Sequence, residues 1–408
     1  MNFSFSIPTK IEFGSGICTQ VGEILKPYVD KKVLIVSDCG VRQAGILKNV
    51  EESLRNFKIS YEIFDKVEAN PSTQILEQGI EYLGMHQCDA VLGVGGGSSI
   101  DTAKGIAAMA TNTGSILDYE GINKIKNKPL PILAIPTTSG TGAEVTASAV
   151  FTNKDTLFKT VIMSNYLFPK VAILDPLLTL KLPSSITAAT GMDALTHAIE
   201  SYISKNSNFL SKSLAIEAIK LIGESLLQAY YVGTDVSSRE KMLVASMMAG
   251  MAFSQSRLGN VHAISHTFGG IFNIPHGIAN ATLLPYVMDF NLFACPSEMK
   301  DIAVALGADV FGLTLEKAAE QAILEVIKIN SAIGIPKTIK ELGVNLELLP
   351  QMIDDSMRSP NTISNPRITT SKDIKQIIES AYHGYFPTKD FIEKGREYNV
   401  LRNENVYN

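Results

Sequence analysis

A chain of 408 residues exceeds what one hydrophobic core usually organises and predicts two or three domains, two being favoured. Apolar residues make up 45% and charged residues 19%, with 30 Gly and 17 Pro, which excludes collagen-like, disordered and disulfide-scaffold chains. The net charge is −5 and lysines cluster only briefly, as at Lys124, Lys126 and Lys128, so the basic stripe of a nucleic-acid binder is missing.

The first half alternates strand and helix signals. KVLIVSD (Lys32 to Asp38) reads as a strand and is followed by a helical stretch through Leu47 and Leu54. ISYEIF (Ile59 to Phe64) is the next strand, and STQILEQGIEYLGMH the next helix. DAVLGVG (Asp89 to Gly95), the helix Ser98 to Ala110 and the strand PILAIPTT (Pro131 to Thr138) continue the alternation. Such a series predicts a mostly parallel sheet covered on both faces. Near Pro183 the strand signals almost vanish, and TAATGMDALTHAIESYIS, SLAIEAIKLIGESLLQAYY and EKMLVASMMAGMAFS carry 3.6-residue periodicity. The expected architecture is an α/β domain over 1–182, then an all-helical domain over 183–408. The four cysteines (Cys18, Cys39, Cys88, Cys295) form no C-x-x-C pair, which argues against a disulfide framework or zinc ribbon. Neither a signal peptide nor a run of about 20 apolar residues is present, so the expectation is a cytoplasmic protein with no membrane partner.

VLGVGGGSSID runs a strand into Gly95, Gly96 and Gly97 and then a helix. Glycines let ligand phosphates touch backbone, and the helix start offers N–H donors at the positive end of its dipole. The alternative is a tight turn, which one glycine would satisfy. The dinucleotide fingerprint G-x-G-x-x-G is incomplete, with Ser98 where its last glycine would stand. Asp38, closing the first strand, suits either an adenosine ribose or a helix cap. A second polar loop, PTTSGTGAEVT, follows another strand, where ligands of open α/β sheets bind.

Four of the six histidines fall within residues 197–276. Asp193 and His197 are four apart on one helix face, as are His262 and His266, and His276 follows in IPHG. Burying so many polar groups in apolar helices is costly without a shared purpose, and ligation of a divalent transition ion provides one. Five candidates exceed a four-ligand site, which leaves one for catalysis or support.

GMDALTHAIESY together with VHAISHTFGGIFNIPHGIANATLLP closely resembles the iron-containing (group III) alcohol dehydrogenases. GGGSSIDTAKG, PTTSGTGAEVT, KVAILDP and the late NPR (Asn365 to Arg367) fit the family in the same order. The resemblance implies a fold similar to dehydroquinate synthase, with a nucleotide domain followed by a helical metal domain. By position it implies Asp193, His197, His262 and His276 as ligands of Fe²⁺ or Zn²⁺, and His266 as a non-ligand facing the nicotinamide. It implies NAD contacts at Asp38, Asn70, Gly96, Gly97, Ser98, Thr137, Thr138, Thr146, Lys159 and Leu178, and a homodimer or larger assembly. Two departures fall on the substrate side. Ser359 and Asn361 replace a D-x-C-type stretch, and Ser148 stands where some relatives carry asparagine.

The expected reaction is hydride transfer between nicotinamide and a short primary alcohol, diol or aldehyde. Ser148, Phe253 and Asn361 would give a small pocket with one aromatic wall. Arg257 reads two ways: a solvent-facing or helix-capping cation, or the partner of a carboxylate, sulfonate or phosphonate on a small aldehyde. A dehydroquinate-synthase-like lyase is a further alternative, although the metal region holds few of the basic residues it would need.

Overall fold

The computed structural model describes residues 3–154 and 158–388. Among the described residues nine strands form: β1 (Lys10–Phe13), β2 (Lys32–Val36), β3 (Ser60–Phe64), β4 (Ala90–Gly95), β5 (Gly121–Ile122), β6 (Ile132–Pro136), β7 (Ser148–Asn153), β8 (Phe158–Met163) and β9 (Val171–Leu174). Six of them make one sheet in the order β1-β9-β6-β4-β2-β3, and every pair is parallel. The central strands KVLIV, AVLGVG and ILAIP are nearly continuous apolar runs because both faces are buried. Leu34, Val36, Val91 and Ile132 pack on one face with Leu76 and Ile106. Val33, Ile35, Leu92, Leu133 and Ile135 pack on the other with Leu25, Val50 and Leu54.

The strands expected from alternation are β2, β3, β4 and β6. The edge strand β1 is short and only partly buried, which weakens its signal. A further sheet, β5-β8-β7, joins β7 and β8 antiparallel. Their sequences mix β-branched with polar residues because one face meets the hydrophobic core and the other a cavity. Phe151, Ala149 and Ile162 are buried in the core, while Ser148, Val150, Thr152, Lys159, Val161 and Met163 line the cavity. These six are three cross-strand pairs, Ser148 with Met163, Val150 with Val161 and Thr152 with Lys159, as the two-residue period of a strand requires.

Long helices begin at Ser184–Ile203 and continue with Phe209–Tyr231, Val236–Ser256, Asn260–Ile271 and His276–Asn291. Leu195, Ile199, Ile219, Ile222, Ile264 and Phe268 share one core, so the helices hold one another through their apolar faces. Among the described residues no helix is long and apolar enough to cross a membrane.

Candidate active site

The glycine turn after β4 meets the second polar loop at the C-terminal ends of β4 and β6. Gly95 has φ +152, a backbone that L side chains rarely adopt. Gly96 caps the Gly97–Met109 helix without any side chain, leaving the first-turn N–H groups for another acceptor. A Cβ on Gly97 would lie 2.6 Å from Thr141 Cγ2, so the turn closes against the second loop only as glycine. Thr137 N–H donates to Gly95 O at 3.0 Å, and Thr138 flanks Gly96. Gly97, Ser98, Asn70, Thr146 and Lys159 line the cavity.

Asp38, Gly96, Thr137, Thr138 and Leu178 are outside that lining. Asp38 is the N-cap of the Cys39–Gln43 helix, its Oδ1 accepting from Val41 N–H at 3.0 Å. Its Oδ2 accepts from Ser99 Oγ at 3.3 Å, which ties the end of β2 to the glycine turn. Leu178 is buried with Val94 and Ile135 on one face of the sheet.

The histidines converge on a carboxylate. Nε2 of His197 and of His262 each lies 3.9 Å from Asp193 Oδ1, and His276 Nε2 lies 3.7 Å from it. The ligand atoms of Asp193, His262 and His276 are all within 4.8 Å of one another, a spacing a single ion can bridge. His197 Nδ1–H donates to Gly140 O at 3.2 Å, which leaves its Nε2 lone pair toward Asp193. His197 and His266 both fall outside this three-residue group; the His266 ring lies 5.9 Å from His262 and 5.1 Å from His276.

Two polar residues that motif reading passed over complete the cluster. Glu200 Oε2 lies 2.5 Å from His262 Nδ1, and its Oε1 accepts from Val261 N–H at 2.7 Å. This carboxylate selects the His262 tautomer with Nε2 unprotonated, as outer partners of metal-binding histidines do. Asn280 Nδ2 donates to Asp193 Oδ1 at 2.7 Å and stands 3.1 Å from His262 Nε2 and 3.2 Å from His276 Nε2. One NH₂ has two hydrogens for three acceptors, so lone pairs are in excess where a cation would sit. Asn280 Oδ1 and His276 Nδ1 are buried without a partner. The donor set therefore fits a divalent transition ion. A spacing signal existed for both residues: Glu200 is three after His197, and Asn280 four after His276.

Burial pushes His262, His266 and His276 well below the ordinary histidine range; neighbouring histidines and Lys159 add to it, and Asp193 opposes it at His262. The Lys159 ammonium, buried and donating to Asn70 Oδ1 at 2.8 Å, is pulled down to about 8 by desolvation and partly restored by Asp193. Beneath the cavity, Lys104 Nζ donates to Thr146 O, Thr146 Oγ1 and Ser148 O at 2.8–3.1 Å, bracing the second loop and the start of β7.

On the substrate side Ser148, Phe253, Arg257 and Asn361 all line the same cavity of about 240 Å³. The Phe253 ring stacks on His197 with centroids 4.5 Å apart. Arg257 is the C-cap of the Val236–Ser256 helix, as the capping reading expected, and its half-buried side chain also lines the cavity beside Met163.

A parallel nucleotide-binding-type sheet, a glycine turn and a histidine–aspartate cluster opening into one cavity suit an enzyme that joins a nucleotide and a metal at one site. Residues 8–176 match the family model of iron-containing alcohol dehydrogenase, and residues 187–382 match that of the Fe-containing alcohol dehydrogenase family, C-terminal. The chain belongs to the iron-containing alcohol dehydrogenase family and is an alcohol dehydrogenase or aldehyde reductase, which replaces the lyase alternative. It is 42% identical over 382 residues to a 1,3-propanediol dehydrogenase of Citrobacter freundii, covering 93% of this chain and 99% of that protein. It is 40% identical to an NAD-dependent methanol dehydrogenase of Bacillus methanolicus, with 93% and 99% covered. A solved structure of a 1,3-propanediol oxidoreductase superposes with TM-score 0.91 at 41% identity, covering 94% of this chain and all of that one.

Proposed function

We propose that this enzyme uses NAD(H) and one divalent ion, Fe²⁺ by family and Zn²⁺ by equal chemical suitability, to interconvert a short aldehyde and its alcohol. The observation that carries the proposal is the meeting of three imidazole Nε2 atoms around Asp193 Oδ1 in the cavity that also holds Gly97 and Ser98. Residues 1–182 would hold the nucleotide and 183–408 the metal. The NAD-dependent methanol dehydrogenase among the relatives supports the choice of nucleotide.

A bound nicotinamide exchanges hydride with the substrate carbon, while a bound divalent ion draws charge from its oxygen. The chain itself supplies position and protons. First-turn N–H groups after Gly96 would be available to a pyrophosphate, and Asp38 would repel a 2′-phosphate at the ribose. Asp193, His197, His262 and His276 would hold the ion, with Glu200 and Gly140 O orienting two of the rings. His266, kept neutral by burial, can accept or return the proton of the substrate oxygen. Lys159 and Asn70 form a polar pair against which the nicotinamide can be oriented. Phe253 and the Ser148 strand restrict the remaining space to a short substrate.

The test is an NADH-oxidation assay over an aldehyde panel with anaerobically purified, metal-analysed protein. We expect one Fe²⁺ or Zn²⁺ per chain, preference for NADH over NADPH, and loss of activity on chelation. Full activity in a metal-free preparation would overturn the metal assignment. Preference for NADPH would overturn the nucleotide assignment.

A further inference from the structure

Arg257 stands at φ +66 and ψ −179, a backbone region populated essentially by glycine. Such a conformation is unfavourable for a residue with a Cβ and persists where something else requires it. Folding gives no such reason, since a glycine would end the Val236–Ser256 helix at lower cost. Its backbone N–H donates to Phe253 O at 2.8 Å, a bond any residue but proline makes.

The side chain supplies the reason. It is half-buried in the cavity wall, one helical turn beyond the Phe253 ring that stacks on His197. Its Nη1 rests on the Met163 thioether, a weak acceptor. Among the described residues no carboxylate lies within ion-pairing distance of the guanidinium. The acids of the cavity are otherwise engaged: Asp193 with the histidines, and Asp101 with Val150 N–H and Lys104. The other cation there, Lys159, already has Asn70. Burial draws the Arg257 guanidinium below its ordinary value with no anion to restore it. A cation removed from water without a partner is costly, and an incoming anion would offset that cost.

We infer that Arg257 recognises an anionic group on the substrate, so that the preferred substrate class is a short aldehyde bearing a carboxylate, sulfonate or phosphonate at the end remote from the carbonyl. The planar guanidinium fork suits such oxyanions, which take two parallel N–H bonds. The carbonyl lies toward Asp193 and His266, and the anion lies toward Met163 and Arg257. This inference rests on the reductase reading above. The net reaction is the same: the carbonyl carbon gains a hydride, its oxygen gains a proton, and the dihydronicotinamide is oxidised.

The test compares the metal-loaded enzyme with Arg257→Gly, which suits the local backbone, and Arg257→Lys. Sulfoacetaldehyde, phosphonoacetaldehyde and succinic semialdehyde are set against propanal. The wild type should favour at least one anionic aldehyde. Arg257→Gly should lower the anionic-to-neutral ratio of kcat/KM by about 30-fold or more, chiefly through KM, as loss of one partner of a buried charge pair does. Arg257→Lys should recover part of that loss, and the melting temperature of Arg257→Gly should not fall. Propanal reduced as well as every anionic aldehyde would sink the inference and leave the reductase intact. A raised KM for NADH with an unchanged aldehyde ratio would make Arg257 a nucleotide contact and also sink it. If no aldehyde is reduced, the reductase reading fails. Calorimetric titration with ethanesulfonate, ethylphosphonate and propionate then decides the anion site by itself: binding of one or more to wild type but not to Arg257→Gly supports it, and no binding overturns it.

Discussion

Replacing Glu200 by Gln tests whether the buried carboxylate prepares His262 to hold a metal. Glutamine keeps the shape but has one acceptor oxygen where glutamate offers two, to His262 Nδ1–H at 2.5 Å and Val261 N–H at 2.7 Å. If the amide oxygen stays with Val261, the NH₂ group faces His262 Nδ1 and drives its proton to Nε2, the atom 3.9 Å from Asp193 Oδ1. If the oxygen turns to His262, the buried Val261 N–H is left unpaired, at a cost of about 1–3 kcal/mol. The first outcome weakens the metal site and the second costs fold stability, and neither changes the cavity volume. Loss of such an outer partner lowers metal affinity by about 10–100-fold, or roughly 1.4–2.7 kcal/mol. The assay is titration of the metal-free protein with Zn²⁺ or Co²⁺ against a competing chelator, with circular dichroism and a thermal melt of the same sample as folding controls. We expect weaker binding at a melting temperature lowered by only a few degrees. Wild-type affinity in a folded Glu200→Gln protein would refute the reasoning.

Three other outcomes follow from the site. If Asp38 faces the ribose as proposed, Asp38→Gly should erode the proposed preference for NADH over NADPH, read from kcat/KM for each nucleotide; an unchanged ratio would leave Asp38 as the helix cap alone. His266→Ala should retain stoichiometric metal and lose about 10²–10⁴-fold in kcat, whereas loss of the metal would make His266 a ligand. Glu144, buried with Oε1 unpartnered, has its carboxyl pushed up to about 7 by desolvation, against an ordinary 4.5. Its folded-state pKa is the higher one, so its contribution is full below pH 4.5 and is lost as pH rises through 7, by about 3 kcal/mol at most. Glu144→Gln should therefore flatten the fall in melting temperature between pH 5 and 8, and an unaltered slope would count against that assignment.

What could be read from the chain was what short-range spacing encodes. Apolar runs of five or six residues separated by helical repeats announced the buried strands β2, β4 and β6, because both of their faces need apolar cover. Four-residue spacing put Asp193 beside His197, and His262 beside His266, before any tertiary information, since a helix turns once in 3.6 residues. The same rule could not separate a ligand from its neighbour. Packing brings the Ser184–Ile203, Asn260–Ile271 and His276–Asn291 helices together so that Nε2 atoms of His197, His262 and His276 approach Asp193, with the His266 ring beside them at 5.1 Å from His276. Hairpin β7–β8 escaped notice because its alternation serves a cavity rather than solvent, and polar residues there look like loop. Glu200 drew no attention because the ring it orients, His262, is 62 residues away, and Arg257 read first as a solvent-facing or helix-capping cation, since sequence alone does not show that its helix ends beside the cavity. Local composition and spacing determined which elements form and which donors are available. Only tertiary packing decided which donors meet and which way a long side chain turns, because those contacts join residues that no local period relates.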